Sequence, residues 1–144
     1  RFHKVAQRPG KPFWFGYSVA SNMSIHGENI NRGKKTIVFG FPGNPISTFV
    51  NCLAYFYPWY YKAVGLEVKE ETAILADDIN FKPNLAYFLQ VKLVSEKGQL
   101  MAYPIKGNGS GDLASLVKTD AFIQLPSDEI EFKKGEFFPI LKYR

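Results

Sequence analysis

The sequence predicts an α/β unit followed by an all-β unit: the strand–strand–helix end of an α/β layer over residues 1–65, then a small β-barrel over residues 66–144. Three observations predict it. Ile46, Val50, Leu53, Tyr57, Tyr60 and Val64 recur in steps of four and three, one face of a helix. After Gly65 the rhythm becomes two, with Tyr87, Leu89, Val91 and Leu93 alternating with Phe88, Gln90, Lys92 and Val94. Short apolar runs separated by turn residues then continue to the end, the pattern of a barrel or sandwich of about five or six strands.

The elements follow in order. Val5 to Lys11 is extended and breaks at Arg8-Pro9-Gly10-Lys11-Pro12, where two prolines bracket a glycine and force a rigid turn. Phe13–Tyr17 is a short strand, Ser18–Lys35 a polar hairpin loop, and Thr36–Phe41 a strand buried by composition. Asn44 suits an N-cap and Pro45 the first helical position. Pro58 bends the helix, because it removes the bond to Ala54, and Gly65 closes it. Glu96-Lys97-Gly98 turns the long strand into Leu100–Ile105. Gly107-Asn108-Gly109-Ser110-Gly111 leads to Asp112, which caps a short helix through Lys118. Ala121–Leu125 and Phe137–Tyr143 are the last strands, with Lys133-Lys134-Gly135 as a turn.

Composition bounds the function. The chain has 144 residues, 46% hydrophobic and 22% charged, with 16% aromatic, which excludes a solvating tail or linker. The longest uncharged run, Thr36–Tyr61, contains three prolines and makes a poor membrane span. The single Cys52 excludes an intramolecular disulfide and every multi-cysteine zinc pattern. The chain starts at Arg1 rather than Met, the expectation for a fragment of a longer protein.

The charge is uneven. Residues 1–65 carry eight Lys/Arg and one acid, a net of +7, whereas residues 66–144 carry ten against twelve, a net of −2. Either the first unit faces an anion or acidic partner, or a missing upstream part supplies balancing carboxylates. The basic residues form no dense stripe and the aromatics Tyr57, Tyr60 and Tyr87 fall on core periodicities, which argues against nucleic acid.

Several constellations fail their chemistry. His3, His26 and Cys52 are not at metal-ligand spacing, and Asp77-Asp78, adjacent on a strand, point to opposite faces. Ser110 lacks glycine two residues before and after it, so it is no nucleophile elbow, and no Gly-Lys-Ser/Thr ends its loop. The loop is either a flexible connection or a set of amides that closes with Ser110 over an anion. The strongest site is Phe41-Pro42-Gly43-Asn44-Pro45, where a strand gives way to a helix whose first amides can hold an anion. A rigid connection explains the same residues. Arg8 and Lys11 add a planar fork and a point charge on a stiff turn.

Together these segments resemble the C-terminal part of the MoeA/gephyrin family, the molybdopterin molybdenumtransferases. Val5-Ala6-Gln7-Arg8-Pro9-Gly10-Lys11-Pro12 is similar to the family's V-x-x-K-P-G-K-P, and Gly40-Phe41-Pro42-Gly43-Asn44-Pro45-Ile46-Ser47 to its G-L-P-G-N-P-V-S. Asn108-Gly109-Ser110-Gly111 through Ser115-Leu116 resembles its Q-G-S-x-x-x-S-L. The resemblance implies that residues 1–65 end a molybdopterin-binding α/β domain and that residues 66–144 are the family's C-terminal β-barrel.

It also implies a transferase that inserts molybdenum from molybdate into adenylylated molybdopterin, releasing AMP, with magnesium held by residues outside this chain. On that reading Lys11 and Arg8 neutralise phosphate or molybdate oxygens as the catalytic pair. Pro42, Gly43, Asn44 and Pro45 form the binding turn, and Ser110 approaches from the barrel. A cytoplasmic homodimer without nucleic-acid or membrane partners is expected. The sequence departs from the pattern at Arg8, where Lys is usual, at Asn108, which replaces Gln, and in the long Ser18–Lys35 loop. The first strands of the molybdopterin-binding domain and the domains before it are absent, so the chain alone is expected to be inactive. A non-catalytic scaffold that binds a partner peptide is the alternative.

Overall fold

The structure, a computed structural model, describes residues 2–19, 24–25, 28–29, 35–105 and 113–143. The glycine loop with Ser110, the Asp112 cap and most of the polar loop after residue 19 lie outside the described residues.

The first unit opens with β1 (Phe2–Lys4), β2 (Gln7–Arg8) and β3 (Pro12–Val19). After the small pair β4 (Ser24–Ile25) and β5 (Glu28–Asn29), β6 (Lys35–Gly40) returns antiparallel to β3. The hairpin is as expected, but its ladder runs further, from Trp14 opposite Gly40 to Val19 opposite Lys35. The order β1-β3-β6 leaves β6 at one side. The expectation of a buried strand at Thr36–Phe41 is corrected: Ile37 and Val38 are 39% and 37% exposed. Its end from Phe39 to Phe41 is half-buried, the Phe39 ring against Phe15, Phe56 and Trp59 and the Phe41 ring against Phe13. An apolar run reports a wish to be buried, and a strand needs a layer on each face to satisfy it.

The helix begins where expected. Asn44 has an extended backbone and its Oδ1 accepts from the Ser47 N–H at 3.0 Å, with Pro45 at the first helical position of α1 (Pro45–Asn51). Pro58 is accommodated by a change of helical hydrogen bonding just before it. Residues Cys52–Phe56 form a π turn, in which the Tyr57 N–H reaches back five residues to the Cys52 carbonyl. α2 (Tyr57–Ala63) then starts with Pro58 in its first turn, where a missing N–H costs least. The wide turn also shifts the helical phase. Ile46 and Val50 are buried and Leu53 is partly buried, but Tyr57, Tyr60 and Val64, expected on the same face, are 40–51% exposed. That corrects the single-face reading and the placing of Tyr57 and Tyr60 in the core.

Gly65 closes the helix at φ +77°, its N–H on the Lys62 carbonyl and the Leu66 N–H on the Tyr61 carbonyl. A Cβ there would meet nothing within 4 Å, so only backbone strain penalises a side chain. Gly65→Ala is expected to cost about 1 kcal/mol in urea unfolding.

The second unit comprises β7 (Glu71–Leu75), β8 (Ile79–Asn80), β9 (Ala86–Glu96), β10 (Gln99–Pro104), α3 (Leu113–Lys118), β11 (Ala121–Leu125), β12 (Glu131–Phe132) and β13 (Phe137–Lys142). Strands β10, β7, β13, β11 and β9 follow one another, and β9 pairs again with β10, closing a five-stranded barrel. Lys97 and Gly98, both at positive φ, form the two-residue turn between β9 and β10. Ala73, Leu75, Leu89, Val91, Ala102, Ala121, Ile123, Leu125, Phe138 and Ile140 fill the interior, with Phe81 and Phe132 added by the β8–β12 ribbon and its flank.

The expected single buried face of β9 is also corrected. Phe88, on the opposite side from Leu89, is buried as well, together with Phe122 beside it. Both rings lie under α1, against Ile46 and Val50, with Phe49, Leu53, Leu116, Leu141 and Tyr143 around them. The outer wall of the barrel is therefore the floor on which the helix rests. Asp77 and Asp78 do not share a strand; they lie between β7 and β8, and Asp78 accepts the Lys134 N–H at 2.7 Å.

Candidate functional site

The Arg8–Lys11 turn is held from within. Gly10 has φ +95°, which a side-chain-bearing residue rarely adopts. Gln7 and Asn51 are 2% and 0% exposed, and such buried amides must find partners. The Gln7 Nε2 donates to the Pro9 carbonyl at 2.8 Å and to the Asn51 Oδ1 at 2.7 Å. The Asn51 Nδ2 donates to the Gly10 carbonyl at 3.2 Å, and the Tyr55 hydroxyl donates to the Gln7 Oε1. A Cβ on Gly10 would sit 2.6 Å from Asn51 Oδ1 and 2.8 Å from Gln7 Nε2, so conformation and space both demand glycine there. Val5 N–H donates to the Lys11 carbonyl at 3.1 Å and fastens the turn's far end. The Arg8–Pro9 peptide is cis.

The barrel holds the same turn from its other side. β2 lies parallel to β9, with Gln7 opposite Ala86 and Arg8 opposite Tyr87. The Ala86 N–H donates to the Ala6 carbonyl at 2.9 Å. The Arg8 guanidinium stands 5.9 Å from the Phe81 ring centre, and that ring stacks on Tyr87 at 4.1 Å. Burial pushes the Tyr87 hydroxyl above its usual pKa, and the charge of Arg8 opposes that rise. Arg8 thus leans on the barrel, whereas the Lys11 ammonium is exposed and makes no hydrogen bond or ion pair among the described residues.

The second turn is built from residues 41–45. The Thr48 hydroxyl donates to the Pro42 carbonyl, and the Thr48 N–H donates to the Asn44 carbonyl at 2.9 Å. With Asn44 on Ser47, these bonds fix the turn from the helix side. On the other side Gly43 is exposed and a Cβ there would meet nothing within 4 Å. Asn44, Ser47, Thr48 and Asn51 follow at helical spacing, so one stripe of α1 carries both fastenings. Seven residues separate Asn44 from Asn51, a rise of about 10 Å.

The structure therefore ties both turns to α1: residues 42–45 lead into it through Asn44, and the Arg8–Lys11 turn is fastened to it through Asn51 and the Gly10 carbonyl, with Arg8 and Lys11 themselves off the helix. Ser110 lies outside the described residues; α3, which follows its loop, reaches the cluster under α1 through Leu116. Among the described residues no group of three His, Cys, Asp or Glu could hold a metal ion. Cys52 is partly buried in the π turn, and burial pushes its thiol up, away from reactivity. Sequence reading missed Gln7, Asn51 and Tyr55. Nothing local marks them: Asn51 follows Ser47 and Thr48 as one more polar residue of the helix.

The family model of the MoeA C-terminal region (domain IV) matches residues 72–143, the barrel just described. The chain belongs to the MoeA family. Its similarity to family members extends through the first unit as well. It is 36% identical over 138 residues to the molybdopterin molybdenumtransferase of Synechocystis sp., covering 95% of this chain and 30% of that protein. It is 31% identical over 147 residues to the molybdenum cofactor synthesis protein cinnamon of Drosophila melanogaster, covering 94% of this chain and 21% of that one. The crystal structure of the molybdopterin biosynthesis moeA protein from Pyrococcus horikoshii OT3 superposes with a TM-score of 0.69 at 30% identity, over 99% of this chain and 32% of that chain. The chain thus spans about a third or less of the length of these MoeA relatives, and both turns fall inside the stretch they share.

Proposed function

We propose that this chain is the C-terminal part of a molybdopterin molybdenumtransferase of molybdenum cofactor biosynthesis. It supplies one wall of a site that inserts molybdenum from molybdate into adenylylated molybdopterin with release of AMP. The observation that carries the reading is the exposed Lys11 ammonium on a turn clamped from two sides, fastened to the same helix that the exposed turn at Gly43 leads into. A clamped turn keeps its cation at a set place, so less entropy is lost when an anion binds. Lys11 offers a point charge to phosphate or molybdate oxygens. Arg8 adds positive field from the barrel edge, and residues 42–45 offer the helix-entry turn to the same anionic substrate.

Between them the two turns carry two cations, Arg8 and Lys11, and no carboxylate, a donor set that repels a divalent cation, so the residues described do not fit magnesium. The division at residue 65 into a molybdopterin-binding part and a barrel, the homodimer and the cytoplasmic setting belong to the same reading. Ser110 is proposed to approach the anion from the barrel loop. No described helix is long and apolar enough to cross a membrane.

An assay of AMP release from adenylylated molybdopterin with molybdate tests the reading. The gene product that carries this chain with its upstream sequence is expected to release AMP, and the isolated 144 residues none. AMP release by the isolated chain would overturn the division of labour, and none by the folded gene product would overturn the activity. The second reading, a scaffold that binds a partner peptide, is favoured by the exposed Tyr57, Trp59 and Tyr60 of α2.

A further inference from the structure

The buried polar cluster beneath the Arg8–Lys11 turn does more than hold it still. Both carbonyls in the middle of the turn are drawn inward, that of Pro9 by the Gln7 amide and that of Gly10 by the Asn51 amide. A carbonyl oxygen carries partial negative charge and repels an anion, so its direction matters at an anion site. In a trans peptide the N–H points opposite to the C=O across one plane. The only cis bond among the described residues is Arg8–Pro9, so the Gly10–Lys11 peptide is trans. With its carbonyl turned toward Asn51, the Lys11 N–H is turned away from the cluster. Lys11 is exposed, and its N–H has no acceptor among the described residues.

We infer that Asn51, steadied by Gln7 and Tyr55, is a positioning residue that presents the backbone N–H of Lys11 beside its ammonium as a second donor to an oxyanion. This rests on the reading of Lys11 as an oxyanion contact. Tyr55 supports the aim from one step further back: its hydroxyl engages the Gln7 Oε1, leaving the Gln7 Nε2 for Pro9 and Asn51. The glycine at position 10 admits the arrangement, since a Cβ would strike both amides.

The test measures molybdate binding to the gene product by equilibrium dialysis, and the molybdate dependence of AMP release. Asn51→Leu keeps the volume and removes the hold on the Gly10 carbonyl. A hydrogen bond to a charged group is worth enough that its loss weakens binding about tenfold. The expected result is that rise in both Kd and the half-saturating molybdate, with the saturated rate within twofold of wild type. Gly65→Ala, destabilising but remote from the turn, is expected to change neither. Molybdate binding by Asn51→Leu within twofold of wild type would overturn the inference. If Asn51→Leu unfolds, Tyr55→Phe carries the test: about threefold weaker binding supports the inference, and unchanged binding overturns it. Lys11→Ala run alongside separates the two claims. If it binds molybdate as wild type does, the anion site itself is wrong. If it loses binding while Asn51→Leu does not, only the positioning role falls.

Discussion

Lys11→Ala in the gene product that carries this chain is expected to lower molybdate-dependent AMP release by about a hundredfold or more, the scale seen when a preorganised charge contact to a reacting anion is removed. The structure explains why so exposed a side chain has so large an expected effect. Its turn is fixed by the Gln7 and Asn51 amides and by the backbone bond from Val5, so the cost of ordering it is already met by folding. Because the ammonium makes no hydrogen bond or ion pair among the described residues, the variant should melt within a degree or two of wild type. A similar fall in stability and activity would instead mark Lys11 as structural. Lys11→Arg is a sharper comparison. It keeps the charge but changes the donor geometry, and partial activity is expected.

Phe122→Ala is expected to destabilise the 144-residue chain by about 3–5 kcal/mol, read from the shift of its urea unfolding midpoint. Phe122 is fully buried between the barrel wall and the helix, where its ring meets those of Phe49 and Tyr143. Its loss leaves a cavity under Ile46 and Val50, the residues that seat α1 on the barrel. The same helix carries Asn44 and Asn51, so a loosened seat should also loosen both turns. A loss under 1 kcal/mol would mean that helix and barrel are not packed through this cluster.

Much of this was legible in the sequence where the signal is local. The Asn44 cap, the Lys97-Gly98 turn, the Gly65 stop and the last strand from Phe137 each depend on a few neighbouring residues, and each stands where expected. The readings that needed correction depend on what lies across space. Tyr57, Tyr60 and Val64 keep the helical period on paper, yet the π turn that accommodates Pro58 moves them off the buried face. Ile37 and Val38 look like core, and no described layer covers them. Phe88 looked like the solvent side of β9 until the helix from the first unit covered it.

At the candidate site, the two turns could be found because proline, glycine and paired cations mark them in the chain. The Gln7–Asn51–Tyr55 cluster could not, since its members are 44 and 48 residues apart and meet only once β2 is laid beside the helix. An amide in a helix reads as ordinary until its partner is known. Arg8 is a mixed case: its place in the turn was legible, but its lean toward Phe81 comes from the barrel.

The most direct test of the account is complementation. The gene with its natural upstream region is placed in a cell that lacks its own molybdenumtransferase, and a molybdoenzyme is assayed beside a Lys11→Ala control. The account predicts that the wild-type gene restores molybdoenzyme activity and that Lys11→Ala, made at equal level, does not. Failure of the well-expressed, folded wild-type protein to restore activity would contradict it and favour a relative kept for binding a partner.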